Sequence, residues 1–274
     1  MNIQMNTAAT TMRELQKKVD MIANNMANVN TAGYKRQEAN FSDALVQSIE
    51  KQAAPHHEIG RQTPYGLRVG AGAIFAQTSL QTEQGTTKQT DRPLDFMIQG
   101  DSGFFRVASE GKTFYTRDGS FQLQPSPSTN QVSLVTANGD AVLDSNNQPI
   151  RFDGDYKEIK ATENGTLQIT YQNPAKQPTQ IQLSIADINR PNLLEKVGGN
   201  RYQLPGTEAQ QIASGNLLLG NNDIKVSQGA LEMSNVDMTD EMTELIATQR
   251  LLESQGKAIT FADDMMGLVN TIKG

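Results

Sequence analysis

The chain has 274 residues, of which 36% are apolar and 5% aromatic, with no Trp, no Cys and a net charge of -6. Lack of Cys excludes disulfides and thiolate metal sites, and the acidic excess supplies no basic field of the kind nucleic-acid binding exploits. No stretch approaches the ~20 apolar residues needed to span a bilayer, and the N-terminal segment lacks the basic start and apolar core of a cleaved signal, so any export is expected without a Sec-type signal.

In chain order, the first element predicted is a long helix. Met5, Ala8, Met12, Leu15, Val19, Ile22, Met26 and Val29 are spaced alternately three and four residues apart, as in a coiled-coil a/d seam. The helix is expected to open near Asn6 or Thr7 and to end at Gly33, with Arg13, Glu14, Gln16, Lys17, Lys18 and Asp20 on a polar outer face. Asn24, Asn25, Asn28 and Asn30 are unusual in a helix, because Asn is a mediocre helix former. They read either as specific hydrogen-bonding groups towards neighbouring chains or as a fraying end with solvated amides.

A second helical pattern runs from Tyr34 to about Gln52 through Phe41, Leu45 and Ile49. Pro55, His56, His57, Gly60, Pro64, Gly66, Gly70 and Gly72 then mark a connecting stretch. His56 and His57 are the only two His, and neighbouring side chains diverge in extended chain, so they read as linker and not as a metal site. Gly70-Ala71-Gly72 lacks the third Gly of a nucleotide loop and reads as a tight turn. Ile74 to Thr90 alternates as extended strand.

From Leu94 the sequence becomes a run of short strands. Leu94, Phe96 and Ile98 alternate with polar neighbours, then come Phe104, Phe105, Val107, Phe114, Tyr115 and Phe121. Asp118-Gly119, Asn138-Gly139, Asp153-Gly154 and Asn164-Gly165 are hairpin-turn signals, since each places Gly after a residue that tolerates positive φ. Val132 to Val135 and Ala141 to Leu143 bracket one hairpin, Ile159 and Leu167 to Ile169 another. Asn164-Gly165-Thr166 is thus a turn before it is a glycan site. Ile181, Leu183, Ile185 and Ile188 form one more alternating strand.

Leu204 to Ser227 is Gly- and Asn-rich and reads as a return path. The last helix follows, with Ser234, Asn235 and Asp237 as possible N-caps and Asp240, Glu241 and Glu244 at its positive end. Met238, Leu245, Leu252, Ile259 and Met266 recur every seven residues, flanked by a more polar row of Thr248, Gln255, Ala262 and Val269. Gly256 breaks propensity at a cost of about 1 kcal/mol.

The chain contains no nucleophile elbow, phosphate loop or HExxH helix. Asp91 with Asp95, or Asp263 with Asp264, are the carboxylate pairs a glycosidase would need, but the first brackets a strand start and the second lies on a polar helix face. A non-catalytic protein without cofactor or metal is the expectation.

Ile22 to Arg36, IANNMANVNTAGYKR, resembles the N-terminal signature of bacterial flagellar basal-body rod and hook proteins through Asn24, Asn25, Ala27, Asn28, Thr31, Gly33, Tyr34 and Lys35. Gly229 to Arg250, GALEMSNVDMTDEMTELIATQR, is similar to the C-terminal block of that family through Ser234, Asn235, Val236, Glu241, Met242, Ile246, Gln249 and Arg250. PLDFMIQGDSGFFRV (93–107) and YTRDGSF (115–121) resemble its central β domain, and the length is that of a distal-rod type. Leu252 and Gln255 depart from the aromatic and the Asn usual at those positions.

The resemblance implies a structural subunit of the rod or rod-hook junction, sited in the flagellar basal body and self-assembling into a hollow helical homopolymer that transmits torque. Its expected partners are other rod and hook subunits and, in transit, the flagellar type III export apparatus, with no nucleic acid and no small-molecule substrate. A surface or phage-tail fibre with a glycan-binding β head is the alternative. The fold class is α+β: a terminal helical coiled-coil domain (1–33 and 234–274), a connecting region (34–88 and 205–233) and a β-rich central domain (89–204). The expected assembly interface is Leu15, Val19, Ile22, Asn24, Asn25, Met26, Asn28, Val29, Thr31, Gly33 and Tyr34, with Ser234, Asn235, Val236, Met242, Leu245, Ile246, Gln249, Arg250, Leu252, Ile259 and Met266.

Overall fold

The computed structural model describes residues 2–43, 46–49, 67–70, 73–126, 130–219 and 224–273. The fold is α+β, with helix α1 (Asn2–Ala27) first, a β-rich middle that includes the short helix α2 (Glu208–Ala213), and helix α3 (Met238–Lys273) last. The chain divides into two compact units: residues 1–24, 38–79 and 239–274 form one, residues 25–37 and 80–238 the other.

The first unit holds most of both long helices. The residues of the α1 ladder from Met5 to Ile22 are all partly or fully buried, and Ile22 is completely so. The buried side is nevertheless wider than the ladder. Glu14, expected on the outer face, is only 6% exposed and accepts from Lys17 at 3.0 Å, and Lys18 makes an ion pair with Glu244 of α3 at 2.7 Å. Arg13, Gln16 and Asp20 do face outwards. In α3 the less exposed stripe runs through Met238, Leu245, Leu252, Ile259 and Met266 with Glu241, Thr248, Gln255 and Ala262 beside it, the face that the seven-residue repeat marks.

The described residues of the 34–52 span, 34–43 and 46–49, are not helical. Gln37–Asp43 is a strand paired with Ala73–Leu80, and Val46–Ile49 pairs antiparallel with Leu67–Gly70. Asn40, Ser42 and Asp43 are poor helix formers, and cross-strand pairing overrides an apolar spacing that fits either structure. Leu45, Pro55, His56, His57, Gly60, Pro64, Gly66, Ala71 and Gly72 lie outside the described residues.

The second unit is built on a ten-stranded antiparallel sheet. Its central strand Gly103–Ser109 is buried on both faces, which explains why the sequence reads GFFRV instead of alternating. Phe105 packs edge-on against Phe121 in one core cluster with Phe96, Ile98, Val107 and Leu134, while Phe104 packs against Tyr202 in a second with Leu80, Tyr115, Ile188 and Leu217. Burying each such side chain contributes about 1.5–3 kcal/mol. Arg106 is held on the second face by Ser184, Asn147 and Glu208.

Both predicted hairpins form, with Val135 opposite Ala141 and Ile159 opposite Ile169, and Gly139 and Gly165 have positive φ. Gly119 and Gly154 do not. Gly119 is required for another reason, since a Cβ there would lie 1.8 Å from the carbonyl oxygen of Phe96. The run from Ile181 to Ile188 is two strands in different sheets, Thr179–Gln182 and Ile185–Ile188. Among the described residues the return path carries α2 and the strands Leu217–Leu219 and Lys225–Gln228, the second paired with Phe96–Gln99, and Ala230–Glu232 beyond it pairs with Thr87–Gln89.

Candidate functional site

The two signature segments meet inside the second unit. α1 stops at Ala27, earlier than the expected Gly33, and residues 28–33 continue as turns, with Asn28 N–H bonded to Asn25 C=O and Thr31 N–H to Asn28 C=O. Gly33 has the left-handed φ of +69° that the sequence predicts, six residues beyond the helix it was expected to cap. Its place is fixed by crowding: a Cβ would lie 2.3 Å from the Asp118 nitrogen. Its N–H donates to Glu232 C=O at 2.8 Å, so the N-terminal signature is seated on the C-terminal one.

Asn25, 1% exposed, accounts for the unusual Asn run. Its Nδ2 donates to Gln37 C=O at 2.9 Å, and its Oδ1 accepts from Gln37 N–H at 3.1 Å and from Tyr34 Oη at 3.0 Å. A carboxamide carries a donor and an acceptor side by side, so it can pair with a backbone N–H and C=O as a neighbouring strand would. Asn235 does the same at the other signature: Oδ1 accepts from Arg36 N–H at 2.7 Å, and Nδ2 donates to the carbonyls of Gln81 and Glu83 at 3.0 Å each. Asn28 closes a turn by accepting from Thr31 Oγ1. Ser234 Oγ caps Val236 N–H at 3.3 Å, which leaves Asp237 as the residue directly before α3.

At the centre is a buried ionic cluster. Lys35 Nζ donates to Glu232 Oε1 at 2.7 Å and to the carbonyls of Thr82 and Glu83 at 2.9 and 2.7 Å. Glu232 Oε1 also accepts from Gly85 N–H at 3.0 Å, and Arg117 Nη1 stands 3.6 Å from Glu232 Oε2. Two cations thus share one buried carboxylate. Burial holds the Lys35 ammonium below its ordinary pKa, the charge of Arg117 adds to this, and Glu232 opposes both. Lys196 lies 4.4 Å above the Tyr34 ring. Asp118 is raised by burial against its hydrogen bonds from Ser120, and Asp95 adds repulsion.

The structure therefore gathers Asn25, Gly33, Tyr34, Ser234, Asn235 and Val236 in one network, with Asn28 and Thr31 in the turn that leads to it. Leu15, Val19, Ile22, Asn24, Met242, Leu245, Ile246, Gln249, Arg250, Leu252, Ile259 and Met266 belong to the helical unit instead. On α3 they differ in exposure: Leu245, Leu252, Ile259 and Met266 are half-buried, whereas Met242, Ile246, Gln249 and Arg250 are exposed. Sequence reasoning missed Glu232, Arg117, Gln81, Glu83 and Gly85. Glu232 and Arg117 do stand inside the quoted signature blocks, as charges in otherwise buried strand ends.

Of the four carboxylates weighed for catalysis, Asp91 is exposed, Asp95 is buried 3.5 Å from Arg92, and Asp263 and Asp264 are exposed on α3. Among the described residues no three His, Asp or Glu side chains converge as metal ligands, and no helix is long and apolar enough to cross a membrane.

A long helix at each end, a β-rich middle and a buried ionic junction that ties the two signature segments together are the features of a structural protein. Three family models match: flagella basal body rod protein at residues 5–35, the flagellar hook protein FlgE/F/G D1 domain at 97–169, and the flagellar basal body rod FlgEFG protein C-terminal region at 227–272. The chain is 36% identical over 270 residues to the flagellar hook-basal body complex protein FlhP of Bacillus subtilis, covering 97% of this chain and 98% of that one. It is 34% identical to the flagellar basal-body rod proteins FlgG of Borreliella burgdorferi and Caulobacter vibrioides, again over 97% of this chain and 97 and 98% of theirs. The chain belongs to the family of bacterial flagellar basal-body rod and hook proteins, and is a structural rod protein of the flagellar basal body. None of these matches supports the fibre with a glycan-binding head.

Proposed function

We propose that the chain is a rod or rod-hook junction subunit that polymerises with copies of itself and with neighbouring rod and hook subunits into a hollow helical axial structure, and that this structure transmits torque. The observation that carries the reading is the outer side of α3, where Met242, Ile246, Leu251, Phe261, Met265 and Leu268 are 43–68% exposed. Six large apolar side chains on one helix are a contact surface in search of a partner. The half-buried stripe of the same helix and the Lys18–Glu244 ion pair favour a paired, coiled-coil arrangement of α1 and α3. With one side of α3 turned to its own chain and the other open, the subunit offers the two different surfaces that a heterologous, non-closing contact requires, and such contacts build filaments.

In this reading the assembly contacts include Leu15, Val19, Asn24, Met26, Val29, Met242, Ile246, Gln249 and Arg250. The buried Ile22 and the half-buried Leu245, Leu252, Ile259 and Met266 hold the helices of the subunit in place, and Asn25, Asn28, Thr31, Gly33, Tyr34, Ser234, Asn235 and Val236 keep the subunit in shape for assembly. The chain passes through the flagellar type III export apparatus unfolded and acts without catalysis. The relatives named as rod proteins agree with this role. A deletion strain of a flagellated host complemented with Met242→Asp plus Ile246→Asp tests it: motility and basal bodies beyond the inner rod should be lost although the subunit is exported. Normal flagella would remove the reading.

A further inference from the structure

The chain passes between its two units at four points, 24/25, 37/38, 79/80 and 238/239. On the side of the second unit, each of the four connections is tied to at least one other close to its crossing. Asn25 is bonded through its carboxamide to both backbone groups of Gln37. Arg36 N–H, one residue before, donates to Asn235 Oδ1, and Arg36 C=O accepts from Gln81 N–H at 2.9 Å. Asn235 Nδ2 closes the ring on the carbonyls of Gln81 and Glu83. The connections at 36–37, 81 and 235 thereby close a hydrogen-bonded ring and the connection at 25 is tied to it through Gln37; the side chains that make these ties are two amides, each bonded to the backbone of another connection.

Neither amide extends a core or fills an ion pair. Each occupies the position a strand would take, and between them they join segments up to 199 residues apart in sequence. Four separate connections would each carry twist alone and yield one at a time. Tied to one another, they share it.

We propose that Asn25 and Asn235 are positioning residues for torque transmission, cross-tying the four connections so that torsion entering by one is borne by all. The proposal rests on the torque-transmitting role put forward above. The glutamate-centred cluster one residue further along, Lys35 with Glu232, anchors the ring to the sheet strand Ala230–Glu232.

The test uses full-length protein with Asn25→Ala or Asn235→Ala. In the purified chain, amide hydrogen exchange should accelerate at least tenfold at Gln37 in the first variant and at Arg36 in the second, with the remaining strands of the sheet unchanged. In a flagellated host, both variants should be recovered in isolated basal bodies and should rotate small beads at wild-type speed, but fail at high drag. Unchanged exchange, or accelerated exchange with normal rotation at every drag, overturns the proposal. So does loss of basal bodies by a variant that folds, because the amides would then act in assembly. Should an Ala variant not fold, Asn235→Asp keeps the acceptor for Arg36 N–H, loses the two donors and sets a carboxylate oxygen against the carbonyls of Gln81 and Glu83. It should hold Arg36 exchange near wild type and fail at high drag, and wild-type rotation at all loads overturns the proposal equally. If the wild-type chain itself is absent from basal bodies, the rod reading fails instead, and the two failures are told apart by that fractionation.

Discussion

Lys35 and Glu232 stand 197 residues apart in sequence and meet at 2.7 Å, with both side chains almost fully buried. A buried pair of this kind is costly to break one-sidedly, because the surviving charge stays desolvated. Here the asymmetry has a direction, since Glu232 faces two cations and Lys35 faces one carboxylate. Glu232→Ala is expected to cost about 3–5 kcal/mol. Lys35→Met leaves Glu232 its Gly85 N–H and Arg117 and is expected to cost less, about 1–3 kcal/mol. Urea unfolding of the two variants and of the double variant Lys35→Met, Glu232→Ala checks this. The double variant should lose less than the sum of the singles, and additive losses would mean that the pair is not coupled.

Asp118 supplies a pH prediction. Its carboxyl is raised from the ordinary 3.8, first by burial, so the folded state binds its proton more tightly than the unfolded chain does. The stability this contributes is complete below 3.8 and is lost as pH rises through the raised folded value. Asp118→Asn keeps an Oδ1 acceptor for Ser120 and removes the charge. The variant is expected to have a higher melting temperature than wild type at pH 7, with the gap closing as pH falls towards 4. A lower melting temperature at pH 7 would show that the ionised carboxylate is favoured.

The long helices were legible because burial of one face imposes a period on the sequence. α1 and α3 carry that period in their apolar ladders, and in α3 the heptad positions are those with reduced exposure. The junction has no such trace. Asn25 and Asn235 bond to backbone groups, and a backbone partner leaves no mark on the residue that provides it. Glu232 and Lys35 are single charges whose partner is fixed only by the fold. The resemblance marked Asn25 and Asn235 as important without saying that they face inwards to their own chain. The pattern at Phe41, Leu45 and Ile49 misled because a spacing of four suits a helix face, while the poor helix formers between them let the pairing of Gln37–Asp43 with Ala73–Leu80 decide.

Two kinds of glycine should respond differently to a methyl group. A Cβ at Gly85 would lie 2.0 Å from Met233 C=O and one at Gly119 1.8 Å from Phe96 C=O, both rigid backbone atoms. Gly111 has a φ of +78° with nothing within 4 Å. Gly111→Ala is therefore expected to cost only the left-handed penalty of about 1–2 kcal/mol, whereas Gly85→Ala or Gly119→Ala should prevent normal folding of the sheet unit. Circular dichroism melts of the three purified proteins separate the cases. Comparable melts for Gly111→Ala and Gly119→Ala would contradict the close approach.

The helical unit yields the prediction that bears most directly on assembly, since adjacent residues of α3 point to opposite fates. Leu245 is half-buried and Ile246 is 51% exposed. An aspartate at 245 is desolvated inside the subunit, so Leu245→Asp should lower the stability of the isolated chain by several kcal/mol, as should Ile22→Asp, whose site is fully buried. An aspartate at 246 remains in water in the isolated chain, and Ile246→Asp should leave its melting unchanged. Only when a second subunit covers that side does the charge become buried without a partner, so Ile246→Asp should still abolish motility. The appropriate control is Arg13→Ala with Gln16→Ala, both exposed on α1; Lys17 and Lys18 are unsuitable, because Lys18 is bound to Glu244 and Lys17 to Glu14. Calorimetry of the purified chains and a swarming assay of complemented deletion strains give the two readouts. Wild-type swarming by Ile246→Asp would show that the exposed side of α3 is not covered in the assembled structure, and the polymer contact would have to be sought elsewhere on the subunit.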